Sequence, residues 1–352
     1  MKIGICFGCY CPLHQGHLDV IFQAKKECDK TFVFVCGTQT NEDRGAEINI
    51  GLDKRYNIIK NFLKDDTVSV IKIDDTELGI DESGSESNWR IFVNYIYTKI
   101  ENFKPEDIYW YCAEPEYEKY IRTNSKNVNV IILDKVNKIS GTECRTNPIK
   151  FWNKITQPFR SYFSHNILIS GTASEGKTTL VHDIGKYFSI PYSYEKARDH
   201  YNTKNDKEWN FKDFLWNITA QNEYNETLIS SPQNPGIFIS DSDNITTLMY
   251  AKSYANKEGF SLTNSDYDTL LSVVGSFSKT IKWNKIFLIK PSKRDLVDDG
   301  TRLMEYNDYN LRLEQFNNLC KLYETFGYTY EVLDGTFLDN FNKVQNYIKN
   351  LF

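Results

Sequence analysis

The chain has 352 residues, 40% of them hydrophobic and 25% charged, with a formal net charge of -5. That length exceeds one typical domain and suits two, while the ordinary composition excludes a disordered or fibrous chain. No apolar run approaches the roughly 20 residues of a bilayer span, and the acidic balance argues against an extended nucleic-acid surface, which needs clustered Lys and Arg.

Residues 2–7 read as a buried first strand, too short for the apolar region of an export signal. A helical pattern from about 16 to 28 and a second apolar run over 31–36 complete a βαβ unit. The rhythm continues with strands expected over 68–73, 108–112 and 128–133 and helices near 52–63, 88–103 and 142–151, which predicts a doubly wound, Rossmann-like α/β domain over 1–155. A polar loop covers 81–87. Around 156–165 the pattern breaks at Gln157-Pro158-Phe159, and this stretch is expected to be a linker. A second α/β domain over 166–352 begins with strand 166–170, with further strands near 237–240, 286–289 and 328–333. Its helices are expected near 177–188, 210–229, 244–255, 263–280, 307–325 and 337–350. The eight cysteines (6, 9, 11, 28, 36, 112, 144 and 320) lack metal-binding spacing and read as reduced structural thiols of a cytoplasmic protein.

Two constellations carry chemistry. The first strand runs into Phe7-Gly8-Cys9-Tyr10-Cys11-Pro12-Leu13-His14-Gln15-Gly16-His17, a glycine-bearing loop opening into a helix that starts with HxGH. A strand end, exposed amides and a helix N-terminus make an anion site, where two imidazoles can donate to phosphoryl oxygens. Far along the same domain, Ile139-Ser140-Gly141-Thr142-Glu143-Cys144-Arg145 gives an ISxTxxR pattern. Ser140 and Thr142 there can cap a helix and offer hydroxyls, and Arg145 supplies a guanidinium fork. In the second half, strand 166–170 leads into Gly171-Thr172-Ala173-Ser174-Glu175-Gly176-Lys177-Thr178-Thr179, a complete GxxxxGK[ST] phosphate loop. Its amides would cradle phosphates, Lys177 would neutralise charge and Thr178 would ligate magnesium. A later strand ends at Asp241-Ser242-Asp243, where a Walker-B-type metal ligand or a general base would sit. The run Asp295-Leu296-Val297-Asp298-Asp299-Gly300-Thr301-Arg302 mixes charges and glycine as either a lid over phosphates or a solvated charged loop would.

The paired HxGH and ISxTxxR motifs resemble the nucleotidyltransferase superfamily. That likeness implies in-line attack of a phosphate on the α-phosphorus of a nucleotide, with Phe7, Gly8, Cys9, Tyr10, His14, His17, Ser140, Thr142 and Arg145 around ATP. With the phosphate loop, Glu114-Pro115, the run 145–152, the segment 241–247 and Val297 to Arg302, nearly the whole chain resembles the NadR family. That family joins nicotinamide mononucleotide adenylyltransferase to ribosylnicotinamide kinase. The resemblance implies nicotinamide riboside, nicotinamide mononucleotide, ATP and NAD as small-molecule partners and magnesium as cofactor. It implies His14, His17, Arg145, Lys177, Asp241 and Asp243 in catalysis, Thr178 and Asp241 on the metal, and Gly171 to Thr179 with Arg302 on the second ATP. Trp89 would stack on the nicotinamide ring, and Glu195 and Arg198 would lie near the riboside. The sequence departs from the family at Cys9, where a lysine is usual, and in the phosphate-loop interior, Thr-Ala-Ser-Glu in place of Gly-Glu-Ser-Ser. No helix-turn-helix segment precedes the first strand, so DNA binding is not expected, nor is a membrane partner; a homo-oligomer stays open. HxGH and ISxTxxR alone also suit another coenzyme adenylyltransferase, and the altered phosphate loop suits a nucleotide-sensing regulator with an inactive kinase half.

Overall fold

Alternation along the central strands explains the architecture. In the first strand Ile3 and Ile5 pack to one side and Cys6 to the other, and in the second Phe32, Phe34 and Cys36 oppose Val33 and Val35. A sheet with two apolar faces needs helices on both. The computed structural model describes the whole chain except residues 82, 101, 134–138, 205–207, 256–257, 259–260, 279 and 296–306. It divides into two units, Met1–Phe163 and Ser164–Phe352.

The first unit runs β1 (Ile3–Gly8), α1 (Gln15–Glu27), β2 (Lys30–Gly37), α2 (Leu52–Phe62), β3 (Val68–Asp74), α3 (Glu86–Lys99), β4 (Ile108–Cys112), α4 (Glu116–Asn124), β5 (Asn129–Ile132), α5 (Gly141–Thr146) and α6 (Gln157–Arg160). Its five strands are parallel in the order β3-β2-β1-β4-β5. The order reverses between β1 and β4, and that switch point leaves a crevice at their carboxyl ends. One face is covered by α1, α2, α5 and α6, the other by α3 and α4. On α3, Phe92, Val93 and Ile96 are buried, each worth about 1.5–3 kcal/mol, and this anchors Trp89 one turn earlier beside the crevice.

The second unit runs β6 (His165–Gly171), α7 (Lys177–Phe188), β7 (Tyr192–Ser193), α8 (Lys196–Thr203), α9 (Phe211–Ile229), β8 (Ile237–Ser240), α10 (Asn244–Tyr254), α11 (Asn264–Phe277), β9 (Lys285–Ile289), α12 (Tyr309–Thr325), β10 (Glu331–Leu333) and α13 (Phe337–Lys349). Its sheet is also parallel, in the order β10-β9-β6-β8-β7. Leu168, Ile286 and Leu288 face a core built with α9 to α12. Among the described residues no helix is long and apolar enough to cross a membrane.

Several elements differ from the sequence expectation. The helix expected over 142–151 stops at Thr146, because the residue before Pro148 is pushed out of the helical region. The last strand shortens to three residues. The segment 156–165, expected as a linker, is folded: Pro158 starts the short helix α6, and Phe159 and Phe163 join the core of the first unit. Proline near a helix start is as much a beginning as a break. Ser164 is buried in the second unit, accepting from Asn234, and β6 starts at His165.

Candidate active sites

The crevice of the first unit is a cleft of about 430 Å³. Residues Phe7 to Cys11, His14 and His17 line it from the β1–α1 connection, Ser140 to Thr142 and Arg145 from the start of α5, and Trp89 from α3. The chain thus brings the two motifs of this half to one place. His14 caps α1, and the backbone N–H of His14 donates to His17 Nδ1 at 3.4 Å. A neutral imidazole that accepts at Nδ1 carries its proton on Nε2, and His17 lines the cleft. The His14 and His17 rings stack at 3.6 Å between centroids, and Tyr10 meets His17 edge-on at 4.9 Å.

Arg145 donates to the Cys11 carbonyl at 2.5 Å and to Thr142 Oγ1 at 3.1 Å. This ties the second motif to the loop of the first. Gly141 permits that approach, since a Cβ there would lie 2.9 Å from the Cys11 oxygen. Ser140 caps α5 in a reciprocal box with Glu143, its hydroxyl 2.9 Å from Glu143 Oε2, so its first role is the helix start. Trp89 is half-buried in an aromatic cluster, one face stacked on Tyr120 at 5.1 Å and the edge of Phe7 at 5.9 Å.

Behind the loop lies a pair that sequence reasoning missed. Arg55 is fully buried and donates to both carboxylate oxygens of Asp43, at 2.5 and 3.0 Å. It also donates to the carbonyls of Cys9, Ile50 and Cys36, at 2.8, 3.0 and 3.1 Å. Burial works to raise the Asp43 carboxyl, but the guanidinium and the Gly45 N–H outweigh it and hold it below the usual carboxylate range. Burial raises the Cys9 thiol against the pull of Arg44 and Arg55, so where a lysine was usual there stands a neutral group. Among the described residues lining the cleft, the Lys and Arg side chains are Arg44 and Arg145. Asp75, also in the cleft, is pushed up to about 6 by burial and by Asp74 and Asp43.

In the second unit the loop 171–176 joins β6 to α7. Gly171 has φ 148°, and a Cβ there would lie 2.7 Å from the Ile289 oxygen, while Gly176 has φ 78°. Gly171 is a position for glycine alone, and Gly176 takes a left-handed angle that favours it. Lys177 Nζ donates to the Thr172 carbonyl at 2.7 Å. Burial lowers its pKa, opposed by the charges of Glu195, Asp241 and Glu175. Thr178 Oγ1 donates to Asp241 Oδ2 at 2.7 Å, and Asp241 Oδ1 is buried with no hydrogen-bond partner among the described residues. Burial, then repulsion from Glu195, pushes Asp241 up to about 6.

Asp243 has a structural role in the described residues. Its Oδ1 accepts from the Thr246 N–H at 2.9 Å, the Thr246 hydroxyl at 2.8 Å and the Tyr323 hydroxyl at 2.9 Å, as the N-cap of α10. A carboxylate oxygen so occupied holds the start of α10 in place. Arg302 and most of the expected lid, from residue 296 on, lie outside the described residues.

A cleft of about 480 Å³ opens from Ala173 to Thr179 across Glu195 and Arg198, an ion pair at 3.8 Å. Tyr201, Trp209, Phe214 and Tyr254 form an aromatic wall with Asn217 beside it, and Arg312 and Gln315 reach in from α12. The loop residues, Glu195 and Arg198 were expected here; the aromatic wall, Asn217, Arg312 and Gln315 were not. The wall was legible only as scattered aromatics, because α8, α9 and α10 bring them together in space.

Known proteins resemble the chain in both halves. A cytidylyltransferase-like family model matches residues 5–147 and an AAA domain model residues 166–339. The trifunctional NAD biosynthesis/regulator protein NadR of Salmonella typhimurium is 22% identical over 277 residues, covering 73% of this chain and 64% of that protein. Its Escherichia coli counterpart is 22% identical over 276 residues with the same coverage. The chain therefore matches less than two thirds of the length of these relatives. Crystal structures of a NadR protein in complex with NR and with NAD and AMP-PNP are both 26% identical, cover 99% of this chain and 96% of theirs, and superpose with TM-scores of 0.83 and 0.82.

Proposed function

We infer that this chain, NadR-like in both of its units, is a bifunctional enzyme of NAD synthesis. The second unit transfers the γ-phosphoryl group of ATP to the 5′-hydroxyl of nicotinamide riboside. The first joins the resulting mononucleotide to the adenylyl group of another ATP and releases pyrophosphate. The observation that carries this reading is the meeting of His14, His17 and Arg145 on one cleft and of a full phosphate loop with Glu195 and Arg198 on the other, in a chain matching a riboside-bound NadR structure over 99% of its length.

In the first cleft the His17 Nε2–H, the α1 amides and Arg145 would hold the triphosphate of ATP, with fixed donors ready for charge that grows on the phosphates during attack. Arg44 would supply the positive charge that Cys9 does not. Trp89, which lines the cleft, would receive the nicotinamide ring. In the second cleft Lys177 would leave the Thr172 carbonyl for the β- and γ-phosphates, and the aromatic wall would enclose the base of the riboside. Glu195 would accept the proton of the 5′-hydroxyl. The donor set of Thr178 and the unpartnered Asp241 oxygen fits a hard cation. Both would hold magnesium, which when bound neutralises phosphate charge.

The test is product analysis of the purified chain with ATP and magnesium, given in turn nicotinamide riboside, nicotinamide mononucleotide, pantetheine phosphate and FMN. Mononucleotide from the first and NAD with pyrophosphate from the second are expected. Turnover of pantetheine phosphate or FMN in preference would move the reading to another coenzyme. Binding of riboside and ATP without product would make the second unit a sensor.

A further inference from the structure

The phosphate loop carries a carboxylate, Glu175, at the residue before Gly176-Lys177, in the cradle that must receive a triphosphate. Its side chain is 4% exposed and faces the Arg312 guanidinium, 2% exposed, at 3.4 Å. Glu175 Oε2 also accepts from the N–H and hydroxyl of Ser292, at 3.1 and 3.0 Å. Arg312 in turn donates to the carbonyls of Ser292 at 3.1 Å and Arg294 at 2.6 Å. One arginine on α12 thus fastens both the phosphate loop and the segment after β9. A buried charge pair of this kind costs desolvation and is weak support for stability by itself, but losing one partner leaves the other uncompensated in low dielectric.

We propose that Glu175 and Arg312 are a matched pair of positioning residues, in which Arg312 cancels a negative charge built into the phosphate cradle and docks the segment 292–294 on it. The inference rests on the kinase reading of this unit. Binding of ATP there then depends on the pair being matched, more than on either charge alone. Arg312 Nε is buried without a hydrogen-bond partner among the described residues, so a direct contact of Arg312 with the triphosphate is the rival role, and the two roles give opposite results.

The experiment compares the full-length parent with Glu175→Gln, Arg312→Gln and the double variant. AMP-PNP binding is measured by calorimetry, and riboside phosphorylation is split into kcat and KM for ATP. Thermal unfolding identifies variants that have not folded. Arg312→Gln should weaken AMP-PNP binding and raise KM on the order of tenfold, leaving kcat within about twofold. Adding Glu175→Gln should return both values to within about threefold of the parent. If the double variant binds as poorly as Arg312→Gln, Arg312 acts on the triphosphate and the pair is refuted. Unchanged binding in Arg312→Gln also refutes it. Should the parent bind AMP-PNP but phosphorylate no riboside, the kinase reading fails, and the calorimetry alone still decides the pair.

Discussion

Replacing Arg55 by Gln removes five hydrogen bonds at once, two of them to Asp43 and three to carbonyls, one of which belongs to Cys9 in the first cleft. The Asp43 carboxylate keeps the N–H groups of Gly45 and Thr38, at 2.8 and 3.1 Å, but loses its counter-charge while staying buried. Breaking a buried pair in this way costs about 3–5 kcal/mol, a large share of the roughly 5–15 kcal/mol that holds a domain folded. For a unit of this size that lowers the midpoint by roughly 6–20 °C. Calorimetry that resolves the transition of the first unit is the assay. The pH dependence separates this cause from a simple cavity. In the parent the Asp43 pKa is depressed, so its stabilisation is present above the ordinary carboxylate range and is lost only as pH falls through the lower folded value. In the variant, burial without Arg55 raises that pKa, so a proton relieves the penalty on acidification. The deficit should shrink between about pH 7.5 and about pH 5. A loss below about 1 kcal/mol, or one independent of pH, would refute the reasoning, as would full recovery with a neutral residue of equal volume at 55 alone.

The two activities should fail separately. His17→Ala should slow NAD formation on the order of a hundredfold while riboside is still converted to mononucleotide, which accumulates; Lys177→Ala should do the reverse, and loss of both products in either folded variant, read by chromatography, contradicts the division of labour. Asp241→Asn should cut riboside phosphorylation on the order of a hundredfold. Asp243→Ala should cost about 2 kcal/mol through the lost cap and hydrogen bonds, with turnover per folded molecule within about threefold, a split that urea unfolding beside initial rates checks. Because the folded pKa of Asp241 is raised to about 6, ionising it costs stability as pH rises through that value, and a bound cation relieves the cost. Magnesium should therefore raise the midpoint of the second unit more at about pH 7.5 than at about pH 5, and the magnesium needed for half-maximal phosphorylation should climb below about pH 6. A magnesium shift independent of pH would remove Asp241 from the metal site.

What could be read in advance was what neighbouring residues encode together. HxGH after a strand and GxxxxGK[ST] after a strand each specify a loop and a helix start within a dozen residues, and both are seen. Arg55, Arg44 and Arg312 were invisible because an arginine in a helix or loop reads as a solvated charge until the fold shows what surrounds it. The two-residue β7 and the short α8 fall below any periodicity, and with α8 went the aromatic wall that it helps to form. Asp243 shows how one residue type serves two readings. An aspartate just before a helix is a cap as readily as a metal ligand, and the spacing to Thr246 was there to be weighed.

The Thr156 N–H and hydroxyl both donate to the Leu13 carbonyl, at 3.1 and 2.9 Å, and His14 bridges to Ile155. The HxGH loop near the amino terminus is thus held from behind by residues more than 140 positions later. This bears on how genes for such halves can be split or recombined. A breakpoint before Thr156 would look harmless in the reading frame, yet it would carry the brace of the HxGH loop away on the wrong fragment; an exchange after Phe163 would keep it. Shuffling of the first unit among other chains should therefore leave its scars downstream of 163.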